Sequence, residues 1–87
     1  MYSIVYTKRA VADIPKLKAT RLDSKAKALI EVLRENPFTS PPSYEKLVGD
    51  LSGSDSRRIN IKHRLVYSVY EDEKTVKILS MWSHYEF

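Results

Sequence analysis

Three side chains set far apart in this 87-residue chain could together act on a phosphodiester: the carboxyl of Glu45, the guanidinium of Arg64 and the imidazole of His84. Cleaving RNA through its own 2′-hydroxyl takes a base for that proton, an acid for the departing 5′-oxygen and a cation for the pentavalent phosphorus. Glu45 would be the base, His84 the acid and Arg64 the cation. Each also has a plainer alternative. Glu45 follows a Pro-Pro loop, between Tyr44 and Lys46, and could be an ordinary surface residue. Arg64 could be a structural cation for Glu45 or Asp50, and His84, close to the C-terminus, could be inert. Spacing alone does not choose between these readings.

Other chemistries find less support. Without cysteine there is no disulfide and no thiolate metal site. The two histidines and scattered carboxylates reach no recognisable metal-ligand spacing, and no cofactor is expected. There is no Gly-rich phosphate loop and no nucleophile-elbow context around any serine. His63, at the start of a strand beside a turn, is expected simply to be exposed. The net charge of +4 is moderate, but its distribution is uneven. Arg57, Arg58, Lys62, His63 and Arg64 crowd into one short stretch, which suits a polyanion. Arg57, Lys62 and Lys46 are accordingly expected to add phosphate contacts. Arg57 and Arg58 are adjacent, so on a strand they point to opposite faces and at most one joins Arg64.

The elements that must position these groups centre on residues Ser56 to Tyr70. Arg57–Ile61 and His63–Tyr70 are two β-type runs, rich in β-branched and aromatic residues and free of Gly and Pro. In the second, Leu65, Tyr67 and Val69 share one face, and Arg64, Val66 and Ser68 the other. An arginine among apolar neighbours in mid-strand is costly to bury and needs a reason to be there.

Upstream, Met1–Tyr6 alternates as a short strand, and Thr7 can cap a helix beginning near Lys8. Its apolar stripe would be Ala10, Val11, Ile14 and Leu17, with Pro15 either bending the helix or restarting it. Asp23 is the cap candidate for a helix over Ser24–Glu35, whose Ala26, Leu29, Ile30 and Leu33 form a stripe that Asn36-Pro37 ends. The short link near Thr20–Leu22 makes the two an antiparallel hairpin. Tyr44–Val48 is a short strand, Gly49-Asp50 and Ser52–Asp55 are turns, and Thr75–Tyr85 is the last strand.

The whole reads as one α+β domain over residues 1–87, in the order β-α-α-β-β-β-β. Two helices pack on one face of a small, mainly antiparallel sheet and leave the other face available. The turn of the last hairpin decides parity. A three-residue loop, Asp72 to Lys74, would put Arg64 and His84 on one face; a two-residue loop, Asp72-Glu73, would separate them unless a bulge intervenes. No apolar run approaches the ~20 residues of a membrane span, and the N-terminus lacks a signal-peptide layout. A disulfide-free domain of this kind suits the cytoplasm.

Asn36-Pro37-Phe38, Tyr44-Glu45-Lys46-Leu47, Gly49-Asp50-Leu51-Ser52-Gly53, Ser56-Arg57-Arg58-Ile59, His63-Arg64-Leu65-Val66-Tyr67 and His84-Tyr85 together resemble the YoeB/Txe branch of the RelE-like toxins, found in bacterial type II toxin–antitoxin modules. The likeness spans essentially the whole chain. It implies a ribosome-dependent endoribonuclease that enters the 70S ribosome and cuts mRNA in the A site. It places the family's catalytic glutamate on Glu45, its arginine on Arg64 and its near-terminal histidine on His84, with Arg58 and Tyr85 as further RNA contacts. It also implies a YefM/Axe/Phd-like antitoxin whose disordered segment folds over the site, operator DNA bound only through the antitoxin complex, and a homodimer. The alternative within the same resemblance is an inactive toxin-fold binding module; a third reading is a free ribonuclease that needs no ribosome. Three departures stand out. Val48 replaces a basic residue of some relatives, Ser54-Asp55 replaces aromatic ones, and Glu86-Phe87 extends the C-terminus, where a carboxylate would raise the His84 pKa. These are expected to alter base stacking, ribosome contact or codon preference.

Overall fold

Thr7 sets the first boundary in the chain. Its backbone is extended and its hydroxyl accepts the Ala10 N–H at 3.0 Å, so strand β1 (Ser3–Tyr6) gives way at once to helix α1 (Lys8–Ala19). The computed structural model describes residues 1–40, 43–47 and 53–84, the last two by their backbone alone. Helix α1 is continuous through Pro15, so it does not restart there. Its buried face is Ala10, Asp13 and Leu17, whereas Val11, expected on the stripe, is 53% exposed. The stripe is thus turned one position, because the helix buries a carboxyl at Asp13 instead of the valine.

The link to helix α2 (Asp23–Glu35) is a Schellman turn. Leu22 N–H donates to Leu17 O at 2.8 Å and Arg21 N–H to Lys18 O at 3.2 Å, with Arg21 left-handed at φ 59°. Asp23, expected as the cap, is instead the first helical residue, where its charge favours the helix N-terminus; Leu22 occupies the cap position without a side-chain bond. Ala26, Ile30 and Leu33 are buried, as their spacing requires.

Both helices lie on one face of a five-stranded sheet in the order β1-β5-β4-β3-β2. β2 is Tyr44–Lys46, β3 Asp55–Arg58, β4 His63–Tyr70 and β5 Thr75–His84. β1 runs parallel to β5 and every other pairing is antiparallel. Leu65, Tyr67, Val76, Ile78 and Met81 from the sheet join the helical stripes in one core. The α+β architecture and element order read from the sequence are those observed. No helix among the described residues is long and apolar enough to cross a membrane.

β3 differs most from expectation. It begins at Asp55 and stops at Arg58, so Ile59–Ile61 is not strand and Ile61 is 76% exposed. Asn60 is the cause. Its Oδ1 accepts the N–H groups of Lys62 and His63 at 2.9 and 2.7 Å, and this Asx-type turn ends the run. The last hairpin has neither of the two loops considered. Tyr70 opposes Thr75 around a four-residue turn, Glu71 to Lys74.

Two bulges in β5 then change the register. Tyr67 opposes Ile78, Val66 opposes Ser80, and Arg64 opposes Ser83. Leu79 is the extra residue of the first bulge, and Thr7, the cap of α1, grips it there. Thr7 Oγ1 donates to Leu79 O at 2.8 Å and Thr7 N–H to Ile78 O at 3.0 Å. Val48, Asp50 and the other residues at 48–52, with Pro41-Pro42 and Tyr85, Glu86 and Phe87, lie outside the described residues.

Candidate active site

Cross-strand partners in an antiparallel sheet share a face, and so do residues two apart on one strand. The row Glu45, Ser56, Val66, Ser80 crosses β2, β3, β4 and β5. Two residues along, Arg58 opposes Arg64 and Arg64 opposes Ser83. Leu65 and Tyr67, of the other parity, lie in the helical core. Glu45, Arg58 and Arg64 therefore stand together on the face away from the helices. Strand spacings put Glu45 and Arg64 about 10 Å apart across the sheet and about 7 Å along it. A side chain at each position can reach inward toward a group lying between them.

That face is not bare. Ser56, Val66 and Ser80 at its centre are buried, Arg64 is half-buried, and Glu45 and Arg58 at its margins are exposed. Ser54 and Ser68 share a hydroxyl–hydroxyl hydrogen bond of 2.9 Å on the same face. The Asn60 turn holds the Arg58–Arg64 end closed: Ile59 N–H donates to His63 O at 2.9 Å, and Arg58 Nη1 donates to Ile61 O at 3.3 Å. Lys62 is exposed in that turn, beside the two arginines.

The His84 backbone opposes that of His63, one step beyond the Arg64–Ser83 pair. By the same rule position 84 takes the parity of His63, that of the helical face, and Ser83 takes that of Arg64, so the register does not bring His84 onto the face shared by Glu45, Arg58 and Arg64. Tyr85 follows, outside the described residues. Among the described residues, no group of three or more His, Cys, Asp or Glu is arranged to hold a metal ion.

Three residues expected at the surface or among the RNA contacts lie elsewhere. Arg57 is 1% exposed and points into the core side of the sheet. Its Nε donates to Tyr67 Oη at 3.1 Å, Nη2 donates to Pro37 O at 2.9 Å and Thr39 O at 2.8 Å, and its guanidinium lies 4.9 Å from the Tyr44 ring centroid. A guanidinium so engaged cannot meet RNA phosphate; its work is to tie the loop after α2 to the sheet, next to the strand bearing Glu45. Lys46 opposes Asp55 and so stands on the opposite face from Glu45. His63 is not exposed: at 7% exposure it stacks on Trp82, ring centroids 3.9 Å apart. The parity of adjacent arginines did announce that Arg57 and Arg58 would separate. Which one faced the core was not readable without the register.

The charge environment follows the same partition. Burial pushes the Tyr67 hydroxyl up to about 12, and the Arg57 guanidinium opposes this. Burial also raises the Asp55 carboxyl, against the pull of Lys46 and Arg57. Away from the site, the hydrogen bonds of Lys74 and then Tyr2 hold the Glu71 carboxyl below its usual range in the β4–β5 turn.

A family model for the YoeB-like toxin of bacterial type II toxin–antitoxin systems matches residues 6–85. The "Toxin YoeB" of Mycobacterium bovis is 46% identical over 48 residues, 55% of this chain and 56% of that protein. The chain thus aligns with little more than half the length of that relative. Similarity to solved structures is more extensive. The YoeB/ParE toxin from Agrobacterium tumefaciens superposes with a TM-score of 0.84 at 29% identity, covering 95% of this chain and 99% of the other. YoeB from Staphylococcus aureus, solved in a heterotetrameric complex with YefM, gives 0.79 at 31% identity over 98% and 99%. A YoeB dimer from Staphylococcus aureus gives 0.78 at 30% identity over 97% and 98%.

Proposed function

This chain belongs to the YoeB-like toxins of bacterial type II toxin–antitoxin systems, and we propose that it is their catalytic component, a ribosome-dependent endoribonuclease acting in the cytoplasm on mRNA in the ribosomal A site. The observation that carries this reading is the common face of Glu45, Arg58 and Arg64. Glu45 takes the proton of the 2′-hydroxyl, whose oxygen attacks the adjacent phosphorus. Arg64 and Arg58 neutralise the charge that builds on the phosphoryl oxygens. His84 gives a proton to the 5′-oxygen as its bond to phosphorus breaks. The products are a 2′,3′-cyclic phosphate and a 5′-hydroxyl, so protons balance without water. Lys62, exposed beside the two arginines, adds a phosphate contact, and Tyr85 is carried over from the family resemblance as a further RNA contact.

Activity would be controlled by a YefM-like antitoxin that covers this face, as its S. aureus relative is found in a heterotetrameric complex with YefM. Operator DNA would be bound only through that complex, and a toxin homodimer is the further assembly expected.

Primer extension on mRNA with purified 70S ribosomes tests the reading. Wild-type protein should cut within A-site codons, and Glu45→Gln, Arg64→Ala and His84→Gln should each lower the rate by about 10²–10⁴-fold. Intact mRNA with wild-type protein, alongside tight antitoxin binding, would refute catalysis in favour of a binding module. Equal cleavage of naked RNA would refute the ribosome requirement.

A further inference from the structure

Between the loop after α2 and the ends of β2, β3 and β4 lies a cavity of about 340 Å³. Phe38, Leu47 and Val69 give it apolar walls, and Lys46, Asp55 and Glu71 are its charged residues. Lys46 opposes Asp55 and Asp55 opposes Tyr67, so both carry the parity of the helical face, as does Val69, two residues on from Tyr67. Glu45, Arg58 and Arg64 are not among its lining residues. The cavity is therefore separate from the face proposed to meet RNA.

Asp55 is the anomaly in this lining. The residue is only 8% exposed, yet among the described residues no hydrogen bond or ion pair reaches its carboxyl. Burial raises its pKa, and the cations Lys46 and Arg57 oppose this from beyond ion-pair distance. Arg57 is engaged by Tyr67 Oη, Pro37 O and Thr39 O, and the Lys46 side chain is exposed. The other carboxyl of the cavity, Glu71, already accepts from Tyr2 Oη and Lys74 Nζ. A carboxylate taken out of water without a donor is costly, and buried polar groups as a rule have a partner. Here the group that lacks one lines a cavity with room for it.

The lining selects the chemistry of that partner. Two carboxylates repel an anion. Water would hydrate Asp55 but leave three apolar walls wet. A cation on an aliphatic stem satisfies both parts, because its methylenes lie along apolar surface while its head keeps its charge paired. A guanidinium suits a buried carboxylate better than an ammonium does, since its planar fork meets both oxygens and it is more weakly hydrated. The volume is at the low end of the roughly 300–1,000 Å³ of ligand pockets, which fits one side chain or a small molecule.

We propose that this cavity is a binding site for an alkylguanidinium group, the chemistry of an arginine side chain, with its fork on the Asp55 carboxylate and its methylenes along Phe38, Leu47 and Val69. The proposal does not rest on the ribonuclease reading.

Amide NMR of the full chain tests it by titration with n-butylguanidinium, with its neutral isostere n-butylurea, and with arginine capped by acetyl and methylamide groups. Butylguanidinium should shift the Asp55 and Val69 amides saturably, with Kd on the order of 1 mM for a ligand of about eight non-hydrogen atoms. Butylurea at the same concentrations should shift neither. Asp55→Asn should weaken butylguanidinium binding by about 10-fold or more without lowering Tm, and Phe38→Ala should weaken it by about 3-fold. Capped arginine separates two sources of the same chemistry. If it binds like butylguanidinium, the site takes a side chain of a protein partner; if butylguanidinium alone binds, it takes a free alkylguanidine, and either result upholds the proposal. No saturable shift with butylguanidinium, an equal response to butylurea, or undiminished affinity in Asp55→Asn overturns it. If Asp55 serves only as a distant counter-charge to Arg57, Asp55→Asn lowers Tm and leaves the butylguanidinium shifts as they were. Should Asp55→Asn not fold, the comparison with butylurea and the Phe38→Ala titration decide.

Discussion

Arg57 and Arg58 are neighbours in sequence with the same chemistry, and their substitutions should have opposite signatures. Arg57→Ala removes a buried cation from three oxygens, Tyr67 Oη, Pro37 O and Thr39 O, at 2.8–3.1 Å, and from the face of Tyr44. Those acceptors are left without their donor, and a void remains where the side chain lay. Breaking a buried charged network by deleting one partner costs about 3–5 kcal/mol. A domain of this length has a total stability of about 4–13 kcal/mol, so the loss is a large share of it. It corresponds to a fall in Tm of at least about 12 °C. Arg57→Lys keeps the charge but not the planar fork that spans three acceptors, and should fall between wild type and alanine. Arg58 is exposed and donates a long bond to Ile61 O, and Arg58→Ala should change stability by no more than about 0.5 kcal/mol. Urea unfolding followed by fluorescence measures both, because Trp82 is the single tryptophan and sits stacked on His63. If Arg57→Ala costs less than about 1 kcal/mol, or if the two variants are equally destabilised, the assignment of Arg57 to the core network is wrong.

The Tyr67 hydroxyl has its pKa raised to about 12, chiefly by burial. Its contribution to stability is therefore complete below pH 10, the ordinary tyrosine value, and is lost as pH rises through about 12. Ultraviolet titration should show Tyr67 ionising together with alkaline unfolding, and ionisation near pH 10 in the folded protein would contradict it. Thr7→Val removes a cap from Ala10 N–H and a donor from Leu79 O, and should lower stability by about 1–2 kcal/mol in a urea titration. Arg21→Gly relieves the left-handed φ of 59° and should raise stability by about 0.5–1 kcal/mol, read as a higher urea midpoint at unchanged slope.

Much of the architecture was legible because it is local. The stripe Ala26, Ile30, Leu33 repeats at the helical period, Thr7 carries a capping hydroxyl before a helical run, and the alternation of Leu65, Tyr67 and Val69 marks a core-facing strand. The family resemblance, carried by motifs from Asn36-Pro37-Phe38 to His84-Tyr85, rests on residue identity and needs no coordinates. The misreadings are of another kind. Val11 looks like a core residue until the helix is docked, and docking turns Asp13 inward because a strand N–H needs it. Ile59–Ile61 has strand composition, yet the side chain of Asn60 claims the backbone first.

By itself the sequence determined the element order, the two helical faces and the fact that Arg57 and Arg58 must part. Periodicity and parity are properties of neighbouring residues, and the chain states them directly. Only the tertiary structure decided which arginine met the core and which joined Glu45 and Arg64, and how β5 aligned with β4. The first follows from the β3–β4 register and the second from two bulges in β5, one of which is tied down from the far end of the chain by the buried bond between Asp13 and the Met81 amide. A contact across 68 residues leaves no periodic trace, because its partners share no strand, helix or turn whose spacing could announce it.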